Sequence, residues 1–230
     1  MSENSTKKYN TKNPYLIDFN HMRNNTTKKL SGNIQPYFSK IEDELIAHIA
    51  KATYVIGCVA WLTNNNIIDQ LEKLKGVKII VSKEEFISSK MQISKRYYYR
   101  NLRNSYDKLP DLFESVCHCC KKNMVNCPFF IKKIGKVDNI KNGGILTCGI
   151  VNNYSKMHHK FLIFFDKFEP IGVWTGSYNL SNTSNYSLEN ALYITDSDVI
   201  NAYLTEFWTV YEYAENYDWE SGRLSKPISC

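Results

Sequence analysis

The sequence predicts an α/β fold: a mixed, mostly parallel sheet flanked by helices, with an inserted helical and cysteine-rich segment. Three observations predict it. Helical and strand-like stretches alternate between residues 41 and 81, as in a crossover unit with parallel strands. Residues 84–128 break that rhythm and read as an insertion. The C-terminal third returns to short apolar runs punctuated by turn residues.

Each element has a local reason. Residues 1–33 are rich in Ser, Thr, Asn and Lys with little periodicity, so a flexible polar arm is expected. Ile41, Leu45, Ile46 and Ile49 recur at helical spacing, and Glu42, Asp43 and Glu44 suit the start of that helix. The run 53–60 reads as a buried strand, 65–74 as a second helix, and 77–81 as a second strand entered through Gly76. A long helical stretch is expected over roughly 84–116, followed by the cysteine cluster. Residues 129–134 and 145–151 are expected as strands, with Asn142-Gly143-Gly144 as the turn between them. Beyond these lie expected strands at 157–165, 171–175 and 190–194, with turns at 166–170 and 176–179. Asp198 is placed to cap a last helix carrying Ala202, Phe207, Val210 and Tyr211. The expected folded domain spans 34–220, with 221–230 as a tail.

Composition narrows the class. A chain of 230 residues, 43% apolar and 23% charged, is long enough for one well-formed core and is neither disordered nor fibrous. Apolar runs such as 161–165 are strand-sized, far below the roughly 20 residues of a membrane span. No stable membrane insertion is expected, and the polar N-terminus without a hydrophobic leader predicts a cytoplasmic protein. The net charge of +6 biases the chain mildly toward anionic partners.

The chemistry concentrates in the C-terminal third. On a strand, alternate side chains share a face, so His158 and Lys160 point one way and His159 the other. A histidine and a lysine on a buried strand need a partner, and an anion is one; the plainer alternative is a strand end in solvent. Downstream, Gly176-Ser177-Tyr178-Asn179 forms a tight polar loop. A hairpin between the two strands brings Asn179 and Ser177 toward His158 and Lys160. Imidazole, ammonium, amide and hydroxyl then converge as a phosphate site holding a nucleophile. Glu189 lies where a carboxylate can fix an imidazole tautomer, or remain a solvated surface charge.

These residues resemble the phospholipase D superfamily, whose signature is H-x-K, four residues, D, then G-S-x-N. His158-x-Lys160 and Gly176-Ser177-x-Asn179 match it, and Glu189 matches the acidic position that follows. Upstream, Ala60-Trp61-Leu62-Thr63-Asn64, Leu71 and Gly76 to Val81 look like the family's first crossover unit. The insert and the N-terminal arm lie outside the resemblance. One position departs: Phe165 stands where the family has Asp, and Asp166 follows it. The resemblance implies a phosphodiesterase that requires no metal for catalysis. One histidine attacks phosphorus, a second protonates the leaving oxygen, and two motif copies are needed. This chain has one, since His21, His48 and His118 have no lysine two residues on, so a homodimer is implied. Lys160, Asn179 and Ser177 would stabilise the phosphorane, and Glu189 would orient the imidazole.

The resemblance fixes phosphodiester chemistry better than substrate. Short, basic, single-motif members resemble the nucleases, so nucleic acid is the expected partner. A phospholipid hydrolase and a non-cleaving nucleic-acid-binding protein are the alternatives. Within 95–103, Lys95, Arg96, Tyr98, Arg100 and Arg103 interleave charge with aromatic surface, suiting phosphates and unpaired bases. An amphipathic helix with inward tyrosines explains the same pattern. Finally, Cys117, His118, Cys120 and Cys127 have the residue types of a structural zinc site, with Cys119 or Cys148 as further candidate ligands.

Overall fold

The computed structural model describes residues 32–88, 96–117, 119–127, 130–132, 139–151, 156–217 and 219. The expected arm (but for residues 32 and 33) and the tail lie outside these residues.

Eight strands form one sheet in the order β1-β7-β6-β5-β2-β3-β4-β8. They are β1 (Ile34–Tyr37), β2 (Tyr54–Val59), β3 (Gly76–Ser82), β4 (Ile145–Cys148), β5 (Lys160–Asp166), β6 (Glu169–Gly176), β7 (Ala191–Ile194) and β8 (Glu215–Asn216). The sheet is mixed, as expected, but antiparallel pairing predominates. Among the described residues only β2–β3 and β3–β4 run parallel. The reason is local. β5 and β6 are joined by a two-residue turn with Lys167 at φ 57°, and so short a connection can only reverse the chain.

The predicted crossover unit is present. Helix α1 (Ile41–Ile49) carries its three acidic residues in the first turn. Helix α2 (Asn65–Glu72) connects β2 to β3, capped by Asn64, whose side chain accepts from the Asn66 and Ile67 amides at 2.9 and 3.3 Å. β2 and β3 are buried along their whole length, as continuous apolar runs require.

Helix α3 covers only Arg96–Asp107, much less than the stretch expected over 84–116. Residues Glu85–Ile87 form a 3-10 turn, and Leu109-Pro110 ends α3, since proline cannot continue a helix. Residues 130–132, expected as strand, are helical. The last helix, α4 (Ser197–Tyr213), is capped by Asp196 rather than Asp198. Asp196 Oδ1 accepts from the Asp198 and Val199 amides at 3.0 and 3.1 Å, and Asp198 occupies the first turn.

The sheet separates two cores. On one face Val55, Val59, Val77, Ile79, Leu162 and Phe164 pack with α1, α2 and α3. On the other, Ile56, Ile80, Phe161, Ile163 and Phe165 pack with α4 and with Cys117 and Cys127 of the insert. Lys78 is fully buried on β3, 2.5 Å from Asp111, and also donates to the Lys141 and Gly143 carbonyls. A buried ammonium needs such pairing, and here it ties the insert to the sheet.

Candidate active site

Lys160 opens β5, and His158 lies just before it rather than within it. The alternation nonetheless extends outward through 156–160, because the His159 carbonyl accepts from Ala60 at 2.8 Å. Lys156, His158 and Lys160 therefore line one side. Met157 is buried in the core under α4, and His159 bonds Glu206 of that helix at 2.8 Å.

The Lys160 ammonium lies 3.1 Å from His158 Nδ1 and 3.1 Å from the His158 carbonyl. An ammonium only donates, so this contact leaves the imidazole proton on Nε2. His158 is exposed and meets the edge of Trp61, ring centroids 6.1 Å apart. Burial pushes the His158 pKa below its ordinary value, Lys160 and Lys156 push the same way, and Glu84 opposes them. Burial also lowers the Lys160 pKa, against the pull of Glu189. The imidazole is biased toward its neutral form by burial and by the ammonium beside it.

The second half of the site is built by β6 and β7. At Gly176 an added Cβ would sit 2.3 Å from the Asn190 carbonyl, so only glycine lets the strands close there. That closure puts the Ser177 hydroxyl onto the Glu189 carboxylate, to which it donates. Ser177 Oγ in turn accepts from the Asn190 amide at 3.1 Å. The next residues cross the end of β2, where the Leu180 carbonyl accepts from Thr63 and Asn64 at 2.8 and 3.0 Å. Asn179 is held there with its Oδ1 buried and without a hydrogen-bond partner. Glu189, expected to orient the imidazole, binds Ser177 instead; the described contact on the ring nitrogen comes from Lys160.

The loop is anchored from below. Tyr178 donates to Asn185 at 2.5 Å, and Asn185 donates to Glu42 of α1. Glu42 also accepts from Asn64 and Asn66 at 2.8 and 2.7 Å. Asp166, at the far end of β5, accepts from Thr53 at 3.4 Å, a structural contact. The register of β5 against β6 shifts between Phe164 and Phe165, at the place where the sequence departs from the H-x-K…D spacing.

No protein-family model matches the chain. An uncharacterized protein, L381, of Acanthamoeba polyphaga mimivirus is 53% identical over 213 residues, covering 90% of this chain and 76% of the viral protein. The two belong to one family. Among solved structures, NucT from Helicobacter pylori superposes with a TM-score of 0.50 at 17% identity, over 80% of this chain and 98% of NucT. The phospholipase D family member Nuc from Salmonella typhimurium gives 0.47 at 15% identity, over 81% and 98%. The chain has the fold of NucT.

Within this fold, the residues read from the sequence fall into three groups. His158, Lys160, Ser177, Asn179 and Glu189 belong to adjoining strand ends. Of the basic and aromatic segment, Lys95 lies outside the described residues, as do the side chains of Arg96 and Tyr98. Arg100 is exposed on α3. Arg103 instead donates to the Ile87 carbonyl at 2.5 Å and lies over the Tyr217 ring, which is a packing role. Tyr99 stacks on Phe86. In the cysteine cluster, the Cys117, Cys119, Cys120 and Cys127 sulfurs all lie within 4.8 Å of one another. His118 lies outside the described residues, and Cys148, on β4, is not in the group.

Three site neighbours had not been singled out as site residues. Trp61 and Lys156 both hydrogen-bond Glu84 Oε1, at 3.4 and 2.9 Å, making a bracket beside His158. Lys156 was findable, because it continues the alternation of His158 and Lys160. Glu84, after a strand and far away in sequence, carried no such signal.

Proposed function

We propose that this chain hydrolyses nucleic-acid phosphodiesters without a metal ion, through a phosphohistidine on His158, in a site completed by a second copy. The observation that carries the reading is the 3.1 Å contact between Lys160 Nζ and His158 Nδ1, with Glu189, the acceptor of the Ser177 hydroxyl, near enough to act on the Lys160 charge. A phosphodiester entering here takes the Lys160 ammonium onto a non-bridging oxygen. That frees Nδ1 to hold the proton, leaving the Nε2 lone pair to attack phosphorus. The bond from phosphorus to the leaving oxygen breaks, and that oxygen takes a proton from a second histidine in its imidazolium form, which becomes neutral. Water then attacks the phosphohistidine, loses its proton to the second imidazole, and releases the phosphate ester.

The second imidazole is the reason for the dimer. Among the described histidines, His48 is half-buried among Tyr37, Phe164, Trp174 and Tyr193, and His159 faces α4. Neither reaches His158. A two-fold pairing of this open strand end supplies the partner subunit's His158, which serves as the acid in its imidazolium form and is left neutral, ready to take a proton from water. Lys160 and the Asn179 amide nitrogen stabilise charge on the phosphorane as donors, while the Ser177 proton is held by Glu189.

Nucleic acid is favoured by the net charge of +6 and by the exposed Arg100 and Lys156. The test is incubation with labelled DNA, RNA and phospholipid vesicles in excess EDTA, with acid-labile labelled intermediate trapped on the protein. Cleavage of oligonucleotides that vanishes in His158→Ala is expected. A strict requirement for Mg²⁺ overturns the mechanism, and cleavage of vesicle lipid alone overturns the substrate. Light scattering, with mixed dimers of wild type and His158→Ala, tests the shared site. A fully active monomer overturns it.

A further inference from the structure

We propose that Cys117, Cys119, Cys120 and Cys127 bind one Zn²⁺ ion as a four-thiolate site that fastens the insert to the α4 side of the sheet. This stands apart from the phosphodiester site and does not depend on how that site is read.

The geometry comes first. Four thiolates around zinc sit at about 2.3 Å from the metal, which sets sulfur–sulfur edges of roughly 3.8 Å. Here Cys117 lies 2.9 Å from Cys119 and 3.3 Å from Cys127, and Cys119 lies 3.8 Å from Cys127. All four sulfurs fall within 4.8 Å of one another, so small side-chain rotations reach a tetrahedron.

The backbone is already shaped for it. Lys121 has φ 59°, the left-handed conformation that folds the chain back sharply. The Cys117 amide donates to the Lys122 carbonyl at 2.8 Å, and the Lys121 amide donates to the Cys117 carbonyl at 2.9 Å. The Cys119 and Cys120 amides point at the Cys117 sulfur. Such donors stabilise a thiolate ligand, and a tight turn presents neighbouring sulfurs to one point. The four-sulfur site carries two net negative charges, and Lys121 and Lys122 lie in the same loop.

The setting explains what the ion would do. Cys117 and Cys127 are fully buried beside Phe113, Met124 and Phe130, while Cys119 is exposed and Cys120 half-buried. Among the described residues between 112 and 127, the only regular structure is the 3-10 turn Met124–Asn126 and one bridge, Val116 to Asn123. So irregular a segment has no strand ladder or long helix to hold it, and a metal cross-link supplies the constraint that secondary structure does not. Binding displaces the thiol protons to solvent; nothing is oxidised.

The experiment uses the full chain made without a histidine tag under reducing conditions. Elemental analysis should find one zinc per chain. Replacement by Co²⁺ should give the intense visible bands of tetrahedral thiolate coordination with thiolate-to-metal charge transfer. Cys119→Ser, at an exposed position that leaves the core intact, should lose stoichiometric zinc and that spectrum while retaining its fold by circular dichroism. Cys148→Ser should keep both. Metal-free protein whose cluster thiols all react with a thiol reagent in the folded state overturns the proposal. So does non-reduced peptide mapping that finds the cluster in disulfides, or Cys119→Ser protein that retains zinc and the unchanged cobalt spectrum.

Discussion

His159 Nε2 lies 2.8 Å from Glu206 Oε1, on the opposite side of the sheet from its chain neighbour His158. Both groups of the pair are largely exposed, at 46% and 43%. An exposed ion pair of this kind contributes about 1 kcal/mol or less. His159→Gln is therefore expected to keep turnover near wild type and to shift the melting temperature only slightly. His158→Ala should abolish turnover with little change in melting. Cleavage assays beside thermal melts distinguish adjacent histidines of opposite role, and equal loss in both variants counts against the assignment.

The pH profile follows from the neighbours of His158. Its pKa lies below the ordinary histidine value through burial, Lys160 and Lys156, with Glu84 opposing. A nucleophilic imidazole must be neutral, so the acid limb of kcat/KM should lie below about 6.5. Lys156→Met removes a cation and should move that limb up in pH. Glu84→Gln removes an anion and should move it down. Shifts of the opposite sign in rate–pH profiles would refute this reading of the bracket.

Glu42 tests how the loop bearing Asn179 is held. It accepts from Asn64, Asn66 and Asn185, and Asn185 carries Tyr178 of the loop. Hydrogen bonds to a charged group contribute about 1.5–3 kcal/mol. Glu42→Ala should cost at least about that much stability by urea titration, and lower kcat as Asn179 loses its fixed position. An unchanged midpoint with full activity would show that the network does not position the loop.

His48 predicts acid lability. Burial, with a lesser contribution from Lys51, lowers its pKa to about 4, while in the unfolded chain it titrates near 6.5. Between those values the unfolded state binds the extra proton, so stability rises with pH across the window. The contribution of His48 is complete above about pH 6.5 and is lost as pH falls toward 4. Urea midpoints should fall between pH 7 and pH 5, and His48→Gln should flatten that slope. A slope unchanged by the substitution would assign it to carboxylates elsewhere.

The legible parts of this chain were those with local causes. Continuous apolar runs gave β2 and β3, and strand alternation correctly separated His158 from His159. The turn at 166–170 marks β5 and β6 as a hairpin, but parallel against antiparallel pairing elsewhere is set by which strands become neighbours, and no local signal makes β5 pair with β2 or β1 with β7. Phe130-Ile131-Lys132 is too short for periodicity to separate helix from strand, and Phe130 packs into the α4 core. Cap choice between Asp196 and Asp198 depended on where the helix begins, a boundary that periodicity resolves poorly. The Glu84 bracket and the Glu42 network join residues 72 and 143 positions apart in sequence, and no periodicity connects them.

The alternation along β5 also makes the chemistry a matter of parity. Leu162 and Phe164 face the α1 and α2 core, Phe161, Ile163 and Phe165 face α4, and His158 and Lys160 take their side from that count. One residue inserted directly after Lys160 would reverse the side of every position before it. His159 would then turn toward Trp61 with no lysine two places on, and His158 and Lys160 would turn toward Glu206. The reaction would be lost with every reactive group still in the chain.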